Sequence, residues 1–170
     1  MKEVHKNIIF SLATILLFVA TSCNDMYKGC KNMPEQTDGS GLILKNVRIW
    51  YSSYDYTTIN NTKEGQIITS DSENIFDLVV SFDNGLTYHP IDFSQYTVLG
   101  IYTDGSCRIV YDRNVIKNIE MHKYIYKITV IHCGLCEELA TSMNWVLIPK
   151  IENDFTIEFV VEHKQWNNGR

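Results

Sequence analysis

The chain has 170 residues, of which 45% are hydrophobic, 12% aromatic and 21% charged. This composition is that of an ordinary globular protein and excludes a collagen-like or disordered chain. The formal net charge is −5, from 15 Lys and Arg against 20 Asp and Glu. Because nucleic-acid affinity comes mostly from neutralising phosphates, we expect no nucleic-acid partner.

The first 22 residues have the pattern of an export signal. Lys2 and Lys6 form a basic start, and residues 8–20 follow as an almost unbroken apolar run. This run is shorter than the roughly 20 residues of a membrane-spanning helix and fits the hydrophobic region of a signal peptide. We therefore predict that residues 1–22 are removed.

The end of the signal, Ala20-Thr21-Ser22-Cys23, resembles the lipobox of bacterial lipoproteins. In that family a diacylglycerol is attached to the cysteine, the signal is cut before it, and the new amino group is acylated. The resemblance implies that Cys23 is lipidated and that the protein is exported and anchored at the outer membrane, on its periplasmic or its surface face. An ordinary secretory signal cut near Ser22 is the alternative.

The mature chain is predicted to have three parts. Residues 23–40 are polar, contain Gly and Pro, and predict a flexible tether that could extend about 55 Å. Residues 41–165 are predicted to form a single β domain, and residues 166–170 a C-terminal tail.

Short strand-like segments separated by turn residues predict a mostly β fold, either an antiparallel β-sandwich or a partly open barrel. Asp83-Asn84-Gly85 predicts a turn, and Asp104-Gly105 predicts a hairpin. A last hairpin is predicted between residues 145–151 and 155–161. One short helix is predicted near 137–143, where helix formers follow two acids.

The last predicted strand has a clear apolar face. Phe155, Ile157, Phe159 and Val161 recur with period 2, which predicts that they are buried together. On that reading, Phe159→Ala should cost about 3–5 kcal/mol.

Four cysteines besides Cys23 are disulfide candidates: Cys30, Cys107, Cys133 and Cys136. An oxidising compartment favours structural disulfides, and four cysteines allow three pairings. If residues 107–116 and 123–133 form a hairpin, paired positions sum to about 240, so that Cys107 lies opposite Cys133. A register shift would favour Cys136 as the partner of Cys107. Cys30 is then expected to form a disulfide with the remaining cysteine or to stay a free thiol.

The same segment supports a redox hypothesis. Cys133-Gly134-Leu135-Cys136 follows a strand and precedes the predicted helix, a setting in which a helix N-terminus makes the first thiol reactive. Zinc held by His132, Cys133 and Cys136 lacks the second CxxC or HxxxH that a zinc site would need. We therefore predict no metal, no cofactor and no catalytic residue, and keep a thiol-disulfide redox protein as the alternative function.

An aromatic stretch supplies the binding-patch candidates: Trp50, Tyr51, Tyr54 and Tyr56. Surface aromatics of this kind stack on sugars or anchor a protein partner, so a protein or glycan ligand is expected. The competing interpretation is that they are half-buried strand aromatics.

Segments of the C-terminal half, from residues 91–93 through Cys107 and the CxxC to 144–150, resemble a small lipoprotein domain of gut-dwelling Gram-negative bacteria with no established activity. Residues 124–130 and 145–150 resemble, more loosely, the β domain of protease-complex inhibitor-like proteins. Together with the N-terminal signal, these patterns predict a lipid-anchored binding or interaction module of the cell envelope. Protease inhibition by an exposed loop or edge strand is a variant of this reading.

Overall fold

The structure is a computed structural model that describes residues 30, 32–49, 65–73, 77–83, 85–134 and 139–167. It confirms the predicted mostly β class, with an antiparallel sheet curled into a half-barrel. A 3₁₀ turn spans Asp71–Glu73. The described strands are β1 (Ser40–Gly41), β2 (Lys45–Ile49), β3 (Gln66–Ile68), β4 (Leu78–Val80), β5 (His89–Pro90), β6 (Tyr96–Ser106), β7 (Arg108–Asn118), β8 (Lys123–Cys133), β9 (Leu139–Pro149) and β10 (Thr156–Gln165).

Four strands of eleven residues form a long two-stranded ribbon. β7 pairs antiparallel with β8, and β6 pairs antiparallel with β9, each along its whole length. β6 and β7 are one run of chain interrupted only at Cys107, whose φ is 62°. Because a positive φ is uncommon for a residue with a side chain and breaks the extended backbone, Cys107 marks the boundary between the two halves of the ribbon.

The two halves of the ribbon belong to two sheets, ordered β1-β7-β8-β10 and β3-β6-β9-β2-β4-β5. Leu99 and Val146 from one sheet pack with Tyr126 and Ile128 from the other in a single buried cluster. The alternate positions of β6 and β9 pack in a second cluster with side chains of the short strands. Both faces are therefore buried over residues 98–101 of β6 and 145–148 of β9, which explains the apolar runs at these positions.

The predicted β7–β8 hairpin is confirmed, but the predicted hairpin at Asp104-Gly105 is wrong. Both of these residues lie within β6, paired to β9. Glycine is required at position 105 because a Cβ there would come too close to the side chains of Ile109 and Val130. The glycine thus permits the close approach of the two sheets rather than a turn.

The predicted last hairpin is also wrong. β9 has β6 on one side and β2 on the other, so both of its edges are occupied. β10 instead joins the other sheet and runs parallel to β8, from the pair Thr156–Lys123 to the pair Gln165–His132. The predicted apolar face is retained at half burial, with Phe159 and its strand neighbours packed on the cluster between the sheets.

The short helix predicted near 137–143 is wrong for residues 139–143, which begin β9; residues 137–138 lie outside the described residues. Residues 139–143 pair with Tyr102–Ser106 of β6. The local helix preference amounts to a few tenths of a kcal/mol per residue and is overridden by completing an eleven-residue ladder.

The predicted flexible tether is wrong for its described part, residue 30 and residues 32–40, which pack on the domain. Cys30 and Met33 are buried beside Val110 and Ile131. Gln36 exchanges hydrogen bonds with the backbone of β7, and the buried Arg113 donates to the Thr37 carbonyl at 2.8 Å.

The predicted C-terminal tail, residues 166–170, is likewise joined to the fold where it is described. Trp166 packs on the same cluster as Cys30, and its N–H donates to the His132 carbonyl at 2.8 Å. Apolar side chains outside the 41–165 range thus cover the outer face of the four-stranded sheet, because Val110 and Ile131 would otherwise be exposed there.

Candidate ligand-binding cleft

A polar cleft of about 260 Å³ lies beside β2 and opens to solvent. Three parts of the chain form it: the segment before β1, the strand β2, and the loop of residues 81–88 between β4 and β5. The lining residues are Asp38, Lys45, Asn46, Arg48, Ser81, Gly85 and Tyr88.

Strand alternation explains how β2 serves both the core and the cleft. Val47 points into the core and is buried, while its neighbours Asn46 and Arg48 lie on the opposite face. Lys45, at the start of the strand, adds a second cation. The core packing of β2 therefore fixes the backbone from which these side chains extend.

The loop of residues 81–88 is ordered around Asp83. Thr87 donates both its N–H, at 2.9 Å, and its hydroxyl to this carboxylate, and the Ser81 hydroxyl donates at 2.7 Å. The N–H of Gly85, at a φ of 89°, donates to the Ser81 oxygen at 2.8 Å. These bonds, those from Thr87 foremost, hold the pKa of Asp83 well below its usual value, so the carboxylate is charged at neutral pH.

Arg48 is paired with an aromatic ring rather than with a carboxylate. Its Nη1 donates to the Tyr88 hydroxyl at 3.0 Å, and its guanidinium carbon lies 5.9 Å from the centroid of that ring. Within the described ranges Arg48 makes no salt bridge. A guanidinium has five N–H donors in a planar fork, so most of them remain for a ligand.

Asp38 ties the N-terminal segment to β2. Asn46 donates to Asp38 at 2.6 Å, and the Lys45 ammonium lies 4.0 Å from the same carboxylate. The side-chain oxygen of Asn46 is buried and has no hydrogen-bond partner among the residues that the structure describes. Leaving a buried acceptor unpaired costs free energy, so this position is a local weak point beside the cleft.

The loop also carries two exposed apolar side chains. Leu86 is 84% exposed and Phe82 is 51% exposed, with the Phe82 ring centroid 6.5 Å from that of Tyr96. Ordered apolar side chains at a loop tip favour contact with a partner molecule. The cleft and its rim thus combine two cations, the Asp38 carboxylate, an aromatic ring and exposed apolar side chains.

The predicted disulfide candidates are paired differently from the favoured prediction. Cys30 is bonded to Cys133 across a Cα separation of 5.5 Å, so the predicted Cys107–Cys133 disulfide is wrong. β7 and β8 pair with positions summing to 241, which places Arg108 opposite Cys133. Cys107 is itself disulfide-bonded, and its positive φ takes it out of the regular ladder.

The redox hypothesis needs Cys133 and Cys136 as a dithiol pair. Cys133 is 1% exposed and bonded to Cys30, which leaves it no thiolate for attack on a substrate. Cys136 lies outside the described residues, as do the predicted lipidation site, Cys23, and the predicted aromatic patch, Trp50, Tyr51, Tyr54 and Tyr56.

Sequence reasoning missed the residues of the cleft. Asp38 fell within the predicted tether, and the sequence analysis assigned no role to Lys45, Arg48 or Tyr88. The Asp83-Asn84-Gly85 segment was predicted only as a turn and not as part of a binding site. A signal was nevertheless present, because Arg48 comes two residues before the aromatic stretch that begins at Trp50.

In the described part of the chain, no helix is long and apolar enough to cross a membrane, and no group of three or more His, Cys, Asp or Glu side chains could hold a metal ion. Known protein families, curated proteins and solved structures gave no match to this chain.

Proposed function

We propose that this chain is an exported, lipid-anchored β domain that binds a ligand carrying a carboxylate in the cleft beside β2. The observation that carries the proposal is the placement of Arg48, Lys45 and Tyr88 around one open cleft, beside an ordered loop. The Ser81 hydroxyl is engaged with Asp83 inside that loop. The lining therefore supplies recognition groups rather than a nucleophile with its base, which favours binding over catalysis.

Charge and shape favour an acidic ligand. The guanidinium of Arg48 matches a carboxylate through two parallel N–H donors. Lys45 adds a second cation, whose charge the Asp38 carboxylate offsets in part at 4.0 Å. The Tyr88 ring offers a flat face for stacking, as sugar rings and side chains use. A carboxylated glycan at the cell surface satisfies all three features, and an acidic peptide satisfies the first two.

The aromatic residues Trp50, Tyr51, Tyr54 and Tyr56 belong to the same proposal. They follow β2 directly in the sequence, so a ligand held by Arg48 is close along the chain to them. Trp50 comes first after the strand and is the side chain with the largest area for stacking. Trp50→Ala is therefore expected to weaken binding, and a Trp50→Phe variant to retain part of it.

Export is supported by the N-terminal signal pattern together with the buried Cys30–Cys133 disulfide, since such bonds persist in oxidising compartments. The anchor would be short. Cys23 and Cys30 are seven residues apart, which limits the span between lipid and domain to about 24 Å. The domain would therefore lie close to the membrane. The Cys30–Cys133 bond would determine where on the domain the anchoring segment is attached.

Cleft binding is tested by titration calorimetry with trigalacturonate, tri-glutamate and the neutral maltotriose. We expect a carboxylated probe to bind and maltotriose not to. Arg48→Ala should raise the Kd about tenfold or more, because a hydrogen bond to a charged group is lost. Arg108→Ala, an exposed arginine of β7, is the matched control and should leave the Kd unchanged. Binding that is insensitive to Arg48→Ala would contradict the proposal.

Anchoring is tested separately by fractionating cells that express Cys23→Ala. This variant should leave the membrane fraction or fail to mature, while Ser22→Ala, which keeps a small residue before the cysteine, should be anchored as usual. A Cys23→Ala protein that is processed normally and stays in the membrane fraction would overturn the lipid anchor without touching the cleft.

A further inference from the structure

β10 is a ten-residue strand at the edge of the four-stranded sheet. Among the described residues it pairs only with β8, and none of its backbone groups is bonded on the other side. The other sheet edges of the described part are β1, β3 and β5, with two or three residues each. β10 is therefore the longest described edge, and long edges are places where another strand can add.

The hydrogen-bond parity of β10 determines which residues face that edge. Thr156 donates its N–H to the His122 carbonyl of the neighbouring chain segment at 3.0 Å, and Trp166 donates to the His132 carbonyl at 2.8 Å. Even-numbered residues thus bond toward β8. Since backbone groups alternate along a strand, the odd-numbered residues 157–165 direct their N–H and C=O groups to the free edge.

Two copies that meet at this edge are constrained to few registers. A two-fold axis makes the strands antiparallel, and bonding requires odd residues to lie opposite odd residues, so the two positions of each pair sum to an even number. The two longest allowed overlaps pair positions that sum to about 320 or about 322, with nine residues each.

Charge distinguishes these two registers. With a sum of 320, Glu158 lies opposite Glu162 of the second copy, twice by symmetry, and like charges directly opposite one another are destabilising. With a sum of 322, Glu158 lies opposite Lys164 and Val161 lies opposite its own counterpart. Lys164 is exposed and makes no ion pair among the described residues. The second register therefore places opposite charges together twice.

We infer that β10 is a self-association edge, at which two copies of this chain pair their β10 strands antiparallel about Val161, with Glu158 of each copy facing Lys164 of the other. Five opposed odd-numbered pairs would exchange about ten backbone hydrogen bonds. The two four-stranded sheets become one continuous sheet, and the apolar face that carries Phe159 runs on across the contact. The inference does not depend on the proposed ligand or on the anchor.

The test is a charge exchange, read by sedimentation equilibrium of the full-length mature chain in density-matched detergent. Glu158→Lys alone and Lys164→Glu alone each create two like-charge pairs across the contact and should weaken the dimer about tenfold. Glu158→Lys also removes the ion pair between Lys123 and Glu158 within each copy, and the mixture described next separates that loss from the effect across the contact. An equimolar mixture of the two variants restores opposite charges in both pairs and should recover the dimer as a heterodimer. Asp112→Lys, on an exposed position of β7, is the control and should dimerise like the parent chain.

Melting curves of each variant establish that it is folded before its mass is read. A parent chain that stays monomeric at every concentration overturns the inference. A parent-like dissociation constant in both single variants overturns it as well, because the interface would then lie elsewhere.

Discussion

The long ribbon and the cleft region differ in strand length and in the kind of hydrogen bonds that hold them. The ribbon consists of four eleven-residue strands that supply most of the fully buried side chains, and long backbone ladders join these strands in pairs. The cleft region consists of β2, β4 and β5, of two to five residues, and a loop held by side-chain bonds to Asp83. Stability is therefore concentrated in the ribbon, and the cleft region can present polar groups to solvent.

Removing the disulfide should have the largest effect on stability. The double variant Cys30→Ala/Cys133→Ala opens a link between positions 103 residues apart, and the chain-entropy model gives about 4–5 kcal/mol for a loop of that size. Chemical denaturation should show this loss in the free energy of unfolding. An unchanged denaturation midpoint would mean that the N-terminal segment is not held by the bond.

Truncation of the ribbon core should come next. Leu99 is fully buried between the sheets, so Leu99→Ala should cost about 3 kcal/mol. Leu86→Ala, at the exposed loop tip, is the matched leucine control and should cost less than about 0.5 kcal/mol. Equal costs for the two leucines would remove the contrast between ribbon and cleft.

Phe159 should give an intermediate value. Its ring is half-buried, packs on Tyr126 with centroids 6.1 Å apart, and meets the backbone at Gly65. Because only part of its surface leaves water, we expect Phe159→Ala to cost about 2 kcal/mol, below the 3–5 kcal/mol of a fully buried phenylalanine. Denaturation with urea measures it, and a cost above about 4 kcal/mol would show that the edge of the sheet is covered more fully.

Sequence patterns predicted the parts of this fold that local chemistry determines. The β class, the β7–β8 hairpin and the turn near Asp83 follow from period-2 spacing and from residues that tolerate turns. The parallel pairing of β10 and the burial of Cys30 could not be predicted, because they depend on which strand edges remain unoccupied after the ribbon folds. Asp104-Gly105 has the composition of a turn, and only the neighbouring sheet explains why it is a strand.

The candidate cleft was even less visible in the sequence. Asp38, Arg48 and Tyr88 are brought together from three separate segments, and each residue alone is an ordinary polar position. The predicted cysteine pairing was wrong for a related reason. A local hairpin register predicted Cys107 as the partner of Cys133, but the covering N-terminal segment brings Cys30 to the same sulfur.

The smallest effect on stability is expected at Asp83, with its main consequence in binding. Its pKa lies below the usual 3.8, so its contribution to the loop is fully present above that pH and is lost as pH falls through the lowered value. Ligand affinity should therefore be unaffected by this group between pH 5 and 8. Asp83→Asn should weaken binding of trigalacturonate several-fold with little change in melting temperature, and Asp112→Asn is the exposed control.

The most direct test of the account is to map ligand contacts residue by residue by NMR. On titration of trigalacturonate into the ¹⁵N-labelled mature chain, amide shifts should concentrate at residues 45–49 and 81–88, and the amides of β7, β8 and β10 should stay unchanged. Shifts confined to the four-stranded sheet, or spread evenly over the chain, would contradict the assignment of binding to the cleft.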